Sequence, residues 1–170
     1  MEIRELTEAD AAVYWPVRLR ALREEPESFG SAYDEAKDRP LALVAARLRE
    51  MTSQDDFLLG AFMDDGQLVG IVAFGRESGR KNRHIGSVYQ MYVAPEGRGA
   101  GAGRALMQGL IARARALDGL EQLTLAVVVS NTVARALYVS LGFAVYGLQR
   151  QALKLDDGRY LDEELMALWL

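Results

Sequence analysis

The segment that most constrains this chain is Gly97-Arg98-Gly99-Ala100-Gly101-Ala102-Gly103. It follows a strand-patterned run, His84 to Val93, and a turn at Pro95 to Gly99, and it opens into a helix from about Gly101 to Leu117. In that helix Leu106, Leu110, Ala114 and Leu117 recur at i, i+4, i+8 and i+11, which makes one apolar stripe. Glycines admit positive φ and let a ligand come close to the backbone. The free amides that open the helix, aided by its dipole, form an anion site, and Arg98 and Arg104 flank it with positive charge. A diphosphate is the obvious guest. The dinucleotide fingerprint fails, because the required third glycine falls on Leu106 or Arg104, and the Walker pattern fails because no Gly-Lys-Ser/Thr follows.

The surrounding pattern supplies the frame. Glu2 to Leu6 reads as a strand, and Thr7-Glu8-Ala9-Asp10 as the cap of a helix that Pro16 breaks or kinks and Pro26 closes. Phe29 to Lys37 is ambiguous; Pro40 to Met51 is a firmer helix, with Pro40 in its first turn. Phe57 to Met63 and Leu68 to Arg76 are strands joined by the turn Asp64-Asp65-Gly66-Gln67. In the strand His84 to Val93, alternation puts Ile85, Ser87, Tyr89, Met91 and Val93 on one face and Val88, Gln90 and Tyr92 on the other. Gln122 to Val129 is a strand covered on both faces, Asn131 to Leu141 a short helix ended by Gly142, and Phe143 to Lys154 with Tyr160 to Leu170 a closing hairpin. The order β-α-α-β-β-β-α-β-α-β-β gives an antiparallel meander followed by a helical crossover, hence one parallel pair in a mixed sheet.

Composition removes whole classes of chemistry. The 170 residues include no cysteine and one histidine, which excludes cysteine nucleophiles, thiolate zinc sites, Fe–S clusters and multi-histidine metal centres. A net charge of −4 argues against a general nucleic-acid binder and points weakly to a cationic acceptor. No run reaches the ~18 apolar residues of a membrane span, and the first residues are charged where a signal peptide is apolar. The expectation is a single domain over residues 1–170, cytoplasmic, with no metal, no membrane and no nucleic-acid partner.

Two segments together resemble the GNAT superfamily of acetyl-CoA-dependent N-acetyltransferases. The family's Arg/Gln-x-x-Gly-x-Gly/Ala is matched by Arg98, Gly101 and Gly103, preceded by Met-Tyr-Val-Ala-Pro. Its Asn-x-x-Ala-x-x-Leu-Tyr-x-x-x-Gly-Phe is matched by Asn131, Ala134, Leu137, Tyr138, Gly142 and Phe143. The resemblance implies an α/β (α+β) fold. Its mixed, mostly antiparallel central sheet has about seven strands, flanked by about four helices, and contains a splayed parallel pair. It implies acetyl-CoA as cofactor, with the amides of Arg98, Gly99, Ala100, Gly101, Ala102, Gly103 and Arg104 holding the pyrophosphate. Met91 and Val93 main-chain groups would pair with the pantetheine, an amide near Met91 or Tyr92 would polarise the thioester carbonyl, and Asn131 would bond the pantetheine arm. Tyr138 would protonate the leaving thiolate. A tyrosine, ordinarily titrating near 10, holds its proton at neutral pH. Tyr138 also fits a core position on its helix, and Asn131 a simple N-cap.

The strand His84 to Val93 lacks the carboxylate that many relatives use as a base. Water, or an acid from elsewhere, such as Glu77, Glu24, Glu25, Glu27, Asp34 or Glu35, would take the proton. The resemblance puts the acceptor site near Phe29, Tyr33, Gln90, Tyr160 and Asp162. The implied reaction is direct acetyl transfer to a primary amine of a small molecule or peptide, in a homodimer as is common in the family. A non-catalytic acyl-CoA sensor is the alternative.

Overall fold

A computed structural model describes residues 1–53 and 55–170. The strands are β1 (Glu2–Glu5), β2 (Asp56–Phe62), β3 (Leu68–Arg76), β4 (Ile85–Val93), β5 (Gln122–Val128), β6 (Ala144–Lys154) and β7 (Tyr160–Trp169). They make one seven-stranded sheet in the order β1-β2-β3-β4-β5-β7-β6. All neighbours are antiparallel except β4 and β5. The α-helices among the described residues are α1 (Ala11–Glu24), α2 (Tyr33–Ala36), α3 (Leu41–Glu50), α4 (Ala102–Arg115) and α5 (Thr132–Ser140). The short α2 adds a fifth helix within the ambiguous Phe29–Lys37 stretch. Pro16 lies inside α1 without ending it, and Pro40 is the extended N-cap of α3 rather than part of its first turn.

The sheet separates two apolar layers. On one face Leu106, Met107, Leu110, Ile111 and Ala114 of α4 pack on Phe57, Leu59, Val72, Phe74, Val88, Leu123 and Leu125. On the other, Tyr14 and Ala21 of α1 and Val44 and Leu48 of α3 pack on Leu58, Ile71, Ala73 and Tyr92. Each fully buried aliphatic side chain of this kind contributes roughly 1.5–3 kcal/mol.

Two irregularities create the site. The parallel pairing of β4 and β5 covers Ile85↔Gln122, Gly86↔Leu123 and Ser87↔Thr124 and then stops, so the strands diverge beyond Ser87. In addition, β4 carries a bulge. Its register against β3 runs Ala73↔Tyr89 and then Ile71↔Tyr92, leaving Gln90 and Met91 opposite Val72, and Gln90 has φ 55. An extra residue flips the alternation. Simple alternation therefore fails past Tyr89: Met91 and Val93 pack with Val88 on the α4 side. Tyr92 packs with α1 and α3, and Gln90 bonds Tyr14 of α1.

Candidate active site

The splay opens a cleft of about 790 Å³ between the ends of β4 and β5. Its size lies within the usual range for ligand pockets, roughly 300–1,000 Å³. Its lining includes β4 from Val88 to Val93, β5 from Leu125 to Val128, and the glycine turn at one end. Beyond Ser87 the β4 groups that point toward β5 have no strand partner, so an extended ligand can hydrogen-bond there as an added strand.

The glycine turn is built for close approach at two positions. Gly99 has φ +75 and Gly101, the N-cap of α4, has φ +84, and a Cβ on either would meet nothing within 4 Å. The surface there is bare backbone leading into the first amides of α4, an environment that suits a pyrophosphate. Gly103 serves packing as well: a Cβ there would lie 3.3 Å from Met91 Cε and 3.5 Å from Leu137 Cδ2. The arginines work differently from simple flanking charges. Arg98 Nη2 donates to Glu25 at 2.6 Å and its Nε to the Val93 carbonyl at 3.0 Å, which ties the turn to the end of α1. Arg104 reaches Ser140 Oγ at 2.8 Å, linking α4 to α5.

Helix α5 forms the opposite wall. Asn131 caps it, accepting from the Ala134 amide at 3.1 Å, and its Nδ2 donates to Ser28 Oγ at 3.3 Å. Tyr138 lines the cleft, is 6% exposed and packs against Phe143 with ring centroids 6.0 Å apart. Burial pushes its phenol up to about 12, so it stays protonated far above neutral pH.

Of the sequence-derived site residues, the cleft brings together Phe29, Gln90, Met91, Tyr92, Val93, Arg98, Gly99, Gly101, Ala102, Gly103, Asn131 and Tyr138. Ala100, Arg104, Tyr33, Tyr160 and Asp162 are not in its lining. Tyr160 is half exposed beneath the Lys154 ammonium, and Asp162 accepts from the Gln151 amide at 2.7 Å in the β6–β7 hairpin. Of the acids considered as bases, Glu25 lines the cleft but is bonded to Arg98, and the others are outside its lining. Glu24 bonds Arg20 and Tyr92, Glu27 bonds Arg159, and Asp34 bonds Lys37. Glu35 accepts from the Ala32 amide, and Glu77 sits beside Ser87.

Three charged cleft residues, Glu163, Arg18 and Arg47, escaped the sequence reading. Glu163 of β7 sits opposite Val128 and lines the cleft. Its neighbour Glu164 pairs with Arg135 of α5 at 2.6 Å, so alternation turns Glu163 to the α1/α3 face. Among the described residues its carboxylate has no hydrogen-bonding partner, and burial raises its pKa. Arg18 of α1 also reaches the cleft and is 7% exposed. Ala11, Tyr14, Arg18 and Ala21 form one buried stripe, so a charged residue in an apolar periodicity was the available signal.

A mixed sheet with one splayed parallel pair, a glycine turn at the head of a helix and a buried tyrosine facing the gap define an acyl-CoA-type transferase site. The model of the "Acetyltransferase (GNAT) family" matches residues 14–143. The chain belongs to the GNAT family of acetyltransferases, transferases whose acetyl donor is acetyl-CoA. Ribosomal-protein-alanine N-acetyltransferase from Brucella melitensis is similar over all of both chains, with TM-score 0.86 and 27% identity. The protein yncA from Salmonella typhimurium, solved with its cofactor acetyl-CoA, is 27% identical with TM-score 0.78, covering 100% of this chain and 94% of that one. A mycothiol acetyltransferase from Salinispora arenicola is 47% identical over 60 residues, which span 35% of this chain and 20% of that protein. The chain therefore matches only about a fifth of the length of that relative. Among the described residues no helix is long and apolar enough to cross a membrane.

Proposed function

We propose that this chain transfers the acetyl group of acetyl-CoA to a primary amine of a small molecule or peptide, by direct attack with donor and acceptor bound together. The observation that carries the reading is the gap between β4 and β5, with the glycine turn at one end and Tyr138 in its wall. Acetyl-CoA supplies an activated thioester when bound; the amides from Arg98 to Arg104 would hold its pyrophosphate, with Asn131 and the open edge of β4 against its arm.

The two faces of the gap divide the work. Met91, Val93 and Tyr138 belong to the α4/α5 layer, the donor side. Tyr14, Gln90, Arg18 and Phe29 belong to the α1/α3 layer, the acceptor side, and Glu163 faces the same way. An amine is protonated at neutral pH and must lose a proton to attack. Glu163, whose burial makes it a stronger base than an ordinary carboxylate, takes that proton. The N–C bond forms, the C–S bond breaks, the Tyr138 phenol gives its proton to the departing sulfur, and the second proton lost by the attacking nitrogen passes through solvent to restore the phenol. The bulge at Gln90–Met91 leaves backbone out of the ladder at the gap, where an amide near Met91 or Tyr92 would stabilise the oxygen of the thioester.

The reading includes a cytoplasmic protein and a homodimer. In support of the latter, the outer strand β6 exposes Val145, Tyr146 and Leu148; light scattering tests it. The activity test is release of CoA from acetyl-CoA with a library of primary amines. Acetyl-CoA binding without release for any amine favours the sensor alternative.

A further inference from the structure

We propose that Arg18, Arg47 and Trp15 form an anion-binding subsite at the acceptor end of the cleft, and that the acceptor is an amine that also carries a carboxylate. This deepens the acetyltransferase reading and rests on it for the reaction, though not for the binding.

The argument starts from orphaned donors. A buried polar group without a partner costs free energy, and each such group in a folded protein calls for a reason. Among the described residues, Arg18 Nη1 and Trp15 Nε1 are buried with no hydrogen-bond partner. Both residues line one chamber of about 100 Å³, well above the ~10–15 Å³ that a single water requires. The chamber and the main cleft share Arg18, Ser31, Arg47 and Gln90 in their walls, so one opens onto the other at this point. Arg18 and Trp15 offer donors and no acceptor, the complement of an oxyanion.

The local charge agrees. The chamber wall contains Arg18, Arg39 and Arg47 against Glu35, the reverse of the chain's overall −4. Glu35 caps the amide of Ala32 and makes no ion pair with Arg18. Arg39 lies over the Trp15 ring at 5.6 Å. Burial lowers the Arg18 pKa, and Arg47 acts on it as a like charge. The Arg18 Cζ lies over the Phe29 ring, 4.7 Å from the centroid, and its Nη1 is left without a partner. A guanidinium is a planar fork of donors suited to a carboxylate. Glu163 faces the same side of the sheet, so an amine held near the carboxylate of Glu163 can extend an anionic group to Arg18. The weak expectation of a cationic acceptor, drawn from net charge, gives way to this local field.

The test pairs each protein amino acid with the amine left by removing its carboxylate. Binding to the CoA-loaded protein is measured by calorimetry, and CoA release from acetyl-CoA is measured separately. At least one carboxylate-bearing member should bind about tenfold or more tighter than its partner, the scale of a charge-assisted contact. Arg47→Gln, at an exposed position that folding tolerates, should bring that ratio near one, as should Trp15→Phe in part. Arg18→Met removes a buried unpaired charge while keeping the length, so it should lose the preference and yet melt at the same or a higher temperature. A wild-type ratio near one in every pair, or an Arg18→Met protein that unfolds early with the ratio intact, overturns the subsite. Preferential binding without CoA release leaves the subsite standing and removes the transferase reading; CoA release without preference does the reverse.

Discussion

The Tyr14 hydroxyl donates to Gln90 Oε1 at 2.8 Å, and Gln90 is the β4 residue with φ 55. Positive φ costs a non-glycine residue of order 1–3 kcal/mol and persists only where the surroundings enforce it. Here the enforcement comes from α1, which packs on this face of the sheet, onto the bulge beside the gap. Tyr14→Phe removes the donor and leaves the amide oxygen without this partner, in a site 5% exposed at Tyr14. We expect a loss of about 1–2 kcal/mol in denaturant unfolding and a larger fall in kcat than in acetyl-CoA affinity. Unchanged kcat would show that the bulge is held without Tyr14.

Tyr138→Phe keeps the ring against Phe143 and removes the proton donor. The expectation is a kcat lowered by ~10²-fold or more with acetyl-CoA affinity nearly unchanged. The wild-type rate should show no alkaline loss from this group below pH 10, since burial holds the phenol near 12. The same shift has a stability consequence. Folding favours the protonated phenol, so its contribution is fully present below the unfolded value near 10 and is lost as pH rises through about 12. Between those limits Tyr138→Phe should lose stability less steeply than wild type; parallel melting curves against pH would remove burial as the cause.

Where the chain's local chemistry decided the outcome, the sequence was enough. Strand β3 runs Leu68–Arg76 as read from the pattern, and the turn glycines Gly66, Gly142 and Gly158 all have positive φ. The glycine turn before α4 was legible for the same reason: strand, turn and helix are contiguous. The bulge in β4 was not, because Gln90 is neither glycine nor proline and its conformation depends on Tyr14, which lies far away in the sequence. The acceptor side was equally hidden. It is assembled from α1, α3 and β7, and Glu163 reads in sequence as one of three consecutive acids, Asp162 to Glu164. Only the folded structure, with Glu163 in the cleft lining and Glu164 paired to Arg135, shows which of them turns toward the gap.

Gly101→Val tests the turn. Space is not the obstacle, since a Cβ meets nothing within 4 Å; the obstacle is φ +84, which a β-branched residue resists most strongly. The variant should lose about 1–3 kcal/mol of stability and at least tenfold in acetyl-CoA affinity, with the smaller Gly101→Ala intermediate. Calorimetry with acetyl-CoA checks it. If Gly101→Val binds like wild type, the turn lies outside the donor site.

Glu163→Gln separates base catalysis from mere lining. Burial raises the Glu163 pKa, so a wild-type rate governed by its ionised form climbs with pH through a value above the ordinary carboxylate one. The glutamine variant keeps the size and cannot accept the proton. Its kcat/KM at neutral pH should fall by ~10²–10⁴-fold. The deficit should shrink as pH approaches the pKa of the amine, where free base is already abundant. Stability moves the other way. A raised pKa means that folding favours the protonated acid, a contribution present at low pH and lost as pH rises through the folded-state pKa. At neutral pH, then, Glu163→Gln should be as stable as wild type or more so. A variant that is less active by the same factor at every pH has lost positioning rather than a base, and the proton must leave by water.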